Sequence, residues 1–177
     1  KTNGCTDTDS NSADLFTSDS APRNSSSVTS CSTVAEKLLI TEVLYDGTMT
    51  DEGDEFIELT NPLTYTVYLE NYKIGDEELS GGGESMYQFP FSTPITPGQV
   101  IVVARNANQF LARFGFLPSF EMVPTGTSLT DNLSVPNLSK YTAWASGSIA
   151  LANDGDEILL LGPLDQIVDS VAWRNGN

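Results

Sequence analysis

Leu39-Ile40-Thr41-Glu42-Val43-Leu44-Tyr45-Asp46 and Gly53-Asp54-Glu55-Phe56-Ile57-Glu58-Leu59-Thr60-Asn61-Pro62 read as two strands joined by an acidic loop. Both are rich in β-branched and aromatic residues, which suit a pleated surface, and both run out in turn-forming residues, Asp46 and Asn61-Pro62. The texture continues along the chain, with strands expected at 38–45, 55–60, 64–69, 86–91, 100–104, 148–152, 157–161 and 167–173. Short runs at this spacing, separated by Gly, Pro, Asn and Asp, predict an all-β sandwich or barrel. A single helix is expected at 106–114, opened by capping asparagines, stopped by Gly115, and carrying Phe110, Leu111 and Phe114 on one face.

Toward the C-terminus, Ile149-Ala150-Leu151, the turn Asn153-Asp154-Gly155-Asp156 and Ile158 to Leu161 read as a hairpin whose Asp-Gly pair supplies the positive-φ turn. A second turn at Gly162-Pro163 leads into a last strand expected to bury Ile167, the neighbours of Asp169, and Trp173. Residues 117–147 read as a long excursion at one end of the sandwich.

The same residues resemble a family. "LITEVLYD" and "DEFIELTN" are similar to the opening of bacterial and archaeal lamin-tail domains, Val67 to Ile74 to the segment after it, and Pro97-Gly98 with Val100 to Ala104 to the next strand. Phe110 to Gly115 resembles the family's short helix, and "LANDGDEI" through "VDSV" resembles its close. Tyr72 where the family usually has Trp, the insertion Gly81-Gly82-Gly83 and the 117–147 excursion depart from the pattern. The resemblance implies an immunoglobulin-like β-sandwich of secreted or surface proteins, usually a non-catalytic module. Residues 37–177 are then expected to form that domain behind an extended N-terminal arm, residues 1–36.

The arm differs in kind. Fifteen of residues 1–33 are Ser or Thr, and Leu15, Phe16 and Val28 are the only sizeable apolar anchors. Alone it would be disordered, so a disulfide, an ion, the domain surface or another copy of the chain must hold it. A Cys5–Cys31 disulfide is expected, contributing about 3 kcal/mol by loop entropy; the alternatives are two free thiols or a lipid-anchored Cys5, for which Thr2-Asn3-Gly4 makes a poor lipobox.

Charge narrows the function. The chain has 177 residues, 24 acidic and 8 basic side chains, no histidine and a net charge of −16. Without histidine, Ser-His-Asp and Cys-His constellations and imidazole zinc sites are excluded. The acidic excess argues against nucleic acid as a partner, and no apolar run is long enough to span a bilayer.

Hard cations take oxygen cages, and two clusters are calcium candidates: Asp7, Asp9, Asn11 and Asp14 in the arm, and Asp46, Asp51, Asp54 and Glu55, with Glu52, in the first loop. Asp154 and Asp156 sit in a turn where Asp is favoured for backbone reasons. Glu42 and Glu58 interrupt apolar strands and need hydrogen bonds or a counter-charge; an acid–base pair is imaginable, structural carboxylates are the plainer expectation. Asn24, Asn132 and Asn137 open N-glycosylation triplets of the kind that arise by chance in a Ser-rich chain. Tyr65, Tyr68, Tyr72 and Tyr87 suit either a carbohydrate platform or packing. The function expected is a secreted or cell-surface structural or adhesion module, self-associating through Leu15, Phe16 or Val28 with calcium offsetting its charge, rather than an enzyme; a carbohydrate- or surface-binding accessory module of a larger secreted enzyme is the alternative.

Overall fold

The computed structural model describes residues 8, 10–24, 37–123 and 128–174; the side chains of Asn11 and Asp51 lie outside what is described. Two sheets pack face to face. One runs β1 (Leu39–Leu44), β2 (Phe56–Thr60), β7 (Val100–Ala104) and β8 (Phe120–Glu121), in that order. The other runs β11 (Ile167–Arg174), β10 (Gly155–Leu161), β4 (Lys73–Gly75), β5 (Met86–Gln88) and β9 (Ser139–Lys140). A ribbon of β3 (Val67–Tyr68) and β6 (Pro94–Ile95) completes it. The pairings are antiparallel except β7 with β8. This is the immunoglobulin-like all-β sandwich.

Ile40, Ile57, Leu59, Ile101 and Val103 from the first sheet, with Leu38 just before β1, meet Ile74, Tyr87, Ile158, Leu160 and Val171 from the second. Such alternation is what a strand buried on one face requires. The opposite faces are also covered. On the first sheet, helix α2 (Ala107–Phe114) lays Phe110 and Phe114 against Phe56, with Val102 and Ala104 beneath. Asn106 caps it by accepting from the Gln109 N–H at 3.1 Å, and Gly115 ends it with φ 80°. Leu111, expected to share the buried face, is exposed. On the second sheet, Tyr141, Trp144 and Ala145 cover Met86, Leu159 and Leu161.

Several expectations are corrected. Residues 148–152 form no strand, although Ile149 and Leu151 are buried. Their backbone is satisfied elsewhere: Ala150 N–H donates to Asp76 at 3.0 Å and Ala152 N–H to Asp156 at 2.7 Å. The hairpin is instead β10–β11, turning through Gly162 to Asp165. In β11 the register shifts opposite Leu160/Leu161; Ile167 is therefore exposed, while Asp169 itself is buried. The 117–147 excursion contains a crossover: β8 extends the first sheet, β9 extends the second, and the buried Glu121 at the end of β8 accepts from the N–H groups of Ala107 and Asn132.

Candidate functional site: an arm seated on a sheet

The register of β1 and β2 shifts between Ile40 and Glu42. Such a bulge re-aims side chains. Ile40 stays in the core opposite Leu59, whereas Thr41 turns outward to donate to Glu58 Oε1 at 2.6 Å, and Glu42 lies opposite Glu58 on the same outer face. The bulge also leaves the Ile40 N–H to be satisfied from β11, by Asp169 at 2.7 Å, with Lys37 3.7 Å from the same carboxylate. One irregularity thus ties the two sheets together and presents a polar patch of Thr41, Glu42, Glu58 and Thr60.

The arm sits on that patch. Its described part holds a single turn, α1 (Asn11–Asp14), and continues with neither helix nor strand through Leu15 to Asn24. Ala21 N–H donates to Glu42 Oε1 at 2.9 Å and Arg23 N–H to Glu58 Oε2 at 2.8 Å. The Arg23 guanidinium donates to Glu58 Oε1 at 2.7 Å and to the Thr60 and Thr41 hydroxyls at 3.2 and 3.4 Å. Farther back, Ser20 accepts from Arg113 at 3.4 Å. Leu15 to Ser18 and Ser20 border a cleft of about 690 Å³ along the seam between β1 and β11, floored by Val43, Tyr45 and Trp173. The Tyr45 and Trp173 rings stack there at 4.8 Å. Burial raises the Glu42 carboxyl above its usual range despite the Ala21 amide. Both strand glutamates thus accept hydrogen bonds from the arm.

The other site candidates fall in different places. Cys5, Asp7, Asp9, Val28 and Cys31 lie outside the described residues, and so does the expected disulfide. Asp14 is buried and accepts from the Thr8 amide and hydroxyl at 2.6 and 2.9 Å. Leu15 packs on the core margin, while Phe16 is 70% exposed. In the first loop Asp46 is exposed, but Asp54 and Glu55 point inward. Asp54 is held by the amides of Thr48 and Met49 and by Arg113. Burial alone would raise it, yet those donors outweigh burial and hold it below the usual carboxylate range. Glu55 pairs with Arg105 at 2.6 Å. Burial, offset only in part by that arginine, pushes Glu55 up to about 8. Asp156 is buried and Asp154 exposed.

Among the described residues, the three carboxylates that converge are others: Glu78, Glu84 and Glu157, with oxygens within 4.8 Å of one another. Glu84 lies at the surface, yet desolvation by its neighbours and the crowd of Asp76, Asp156, Glu157 and Glu77 push it up to about 7. Separations of 6 and 73 residues hid this trio; the topology makes it, by folding the β4–β5 loop beside β10. Of the four tyrosines, Tyr87 is buried and Tyr72 half-buried, whereas Tyr65 and Tyr68 are exposed. No described helix is long and apolar enough to cross a membrane.

No curated protein matches the sequence. Among solved structures, a DUF4876 family protein from Bacteroides thetaiotaomicron is similar in fold, with a TM-score of 0.54 at 14% identity over 71% of this chain and 42% of that one. The chain therefore spans less than half the length of that neighbour. The strands, the outer helix and the order of motifs converge with a family match over residues 32–175, and the chain belongs to the Lamin Tail Domain family.

Proposed function

We propose that this chain is a non-catalytic structural or adhesion module that works outside the cell and associates with other protein chains, copies of itself first, through the arm of residues 1–36. The observation that carries the reading is the seating of Ala21 and Arg23 on Glu42 and Glu58. The two carboxylates best placed for acid–base work are committed to holding a peptide, and a peptide-holding sheet face is a binding device. Serine- and threonine-rich leader chemistry and a charge of −16 favour an exported, highly solvated protein. The proposal includes the Cys5–Cys31 disulfide and a contribution of Leu15, Phe16 and Val28 to association.

Calcium belongs to the proposal as a counter-ion of the acidic surface, and not at Asp54 or Glu55, where arginines already stand. Sedimentation across concentration, in calcium and in EDTA, tests both points. Association that weakens in EDTA is expected; a strict monomer in both at high concentration removes self-association.

A second reading, a carbohydrate-binding accessory module of a larger secreted enzyme, is favoured by one observation, the exposure of Tyr65 and Tyr68 at the β3–β6 ribbon. A glycan array decides it: binding lost on Tyr65→Ala with Tyr68→Ala supports it, and a blank array removes it.

A further inference from the structure

The outer face of the first sheet is built to recognise one kind of peptide. Glu42 and Glu58 accept from main-chain N–H groups at positions 21 and 23, the period of two that an extended segment presents. The residue between them, Pro22, has no N–H to leave unsatisfied. Beyond the second amide, one guanidinium is gripped by Glu58, Thr41 and Thr60 together. A carboxylate taking both an amide and the fork of an arginine is a strong, directional contact. The patch therefore reads an extended X-Pro-Arg segment, and Pro-Arg occurs once in the 177 residues, at Pro22-Arg23.

We propose that in the assembled protein this socket is occupied by the Ala21-Pro22-Arg23 segment of a second copy, so that arms are exchanged between domains. The inference rests on the self-association proposed above and supplies its receptor. Three observations favour exchange. Every contact in the socket is equally available to a neighbouring chain's arm, since none depends on the arm being covalently its own. The twelve residues 25–36 can span up to about 40 Å if extended, more than the width of a small domain. The seat is polar: Ala21 is exposed and Arg23 half-exposed, so water can replace the arm as it leaves. Because a short tether acts like millimolar free arm, the closed form dominates in dilute solution and exchange takes over where copies are crowded.

Charge exchange tests this on the full chain. Arg23→Glu lies on the arm and leaves the sandwich intact; it is expected to weaken self-association about tenfold or more. Glu58→Gln should weaken it likewise, and serves in place of Glu58→Arg should that variant not fold. Mixing Arg23→Glu with Glu58→Arg restores association as a mixed species, visible by native mass spectrometry because the chains differ in mass. Arg23→Glu associating as well as the unaltered chain overturns the socket and leaves self-association standing. An unaltered chain that stays monomeric up to millimolar concentration overturns both.

Discussion

Glu55 and Glu58 sit three residues apart, both with side chains 1% exposed and both paired with an arginine, yet the two pairs are built differently. Arg105 follows directly on β7, and its own N–H donates to the Glu55 carbonyl at 2.8 Å, so that pair is part of the sheet. Arg23 reaches Glu58 from an arm 35 positions earlier. The first pair cannot separate without breaking the sandwich; the second can separate by the arm's departure, with water taking its place. Breaking a buried pair that nothing replaces is costly, whereas a pair that water can enter resembles a surface one.

The largest effect is expected from Arg105→Ala, which removes the partner built into the sheet. It strands Glu55 in the interior and is expected to cost about 3–5 kcal/mol at pH 9.5, above the value near 8 at which the paired carboxyl ionises, read by urea denaturation. A loss no larger than that of Arg23→Ala would abolish the distinction.

Next comes pH. Glu55 and Glu84 titrate at about 8 and about 7 in the folded chain, and Glu42, Glu121 and Asp156 are raised as well. A carboxyl raised on folding binds its proton more tightly in the native state, so stability is greatest below the unfolded value and falls as pH climbs through the folded one. Between pH 5.5 and pH 8 the chain is expected to lose on the order of 2 kcal/mol, and Glu55→Gln should flatten the slope. Asp54 and Asp165, both lowered, act the other way, but their stabilisation is lost only in stronger acid.

Arg23→Ala follows, with a stability change of less than about 1 kcal/mol but a marked rise in proteolytic cleavage within residues 10–24. Unchanged cleavage would show that the guanidinium is not what seats the arm. The smallest effect is that of salt: raising it to 0.5 M should loosen the arm by a few tenths of a kcal/mol, since screening reaches the half-exposed Arg23 and not the enclosed Arg105. Limited proteolysis at two ionic strengths measures it.

The strands around 38–45, 55–60 and 100–104 were legible because one face of each must be apolar, and helix α2 because its cap and its terminal glycine are local signals. The strands β4, β6, β8 and β9, each two or three residues long, carry no period of their own and exist through their partners. The expected hairpin at Asp154-Gly155 failed for a related reason. Asp76 and Asp156 take the amides that a ladder would have used. Acidic clusters misled in the same way: adjacency in sequence put Asp54 and Glu55 in one loop with Asp46, but the fold turns the first two inward onto Arg113 and Arg105. Glu42 and Glu58 were legible as carboxylates in need of partners, and the partner was not, because it lies in the arm.

Composition and pattern by themselves determined that this is an all-β chain with a polar leader, few cations and no histidine chemistry, because those properties follow from residue type and short-range period. Which carboxylates stay open to solvent and which are spent on holding amides and arginines was decided by the tertiary structure alone. A one-residue bulge at Thr41, invisible in the sequence, swings two side chains to the same face and turns a strand interior into a seat for a peptide.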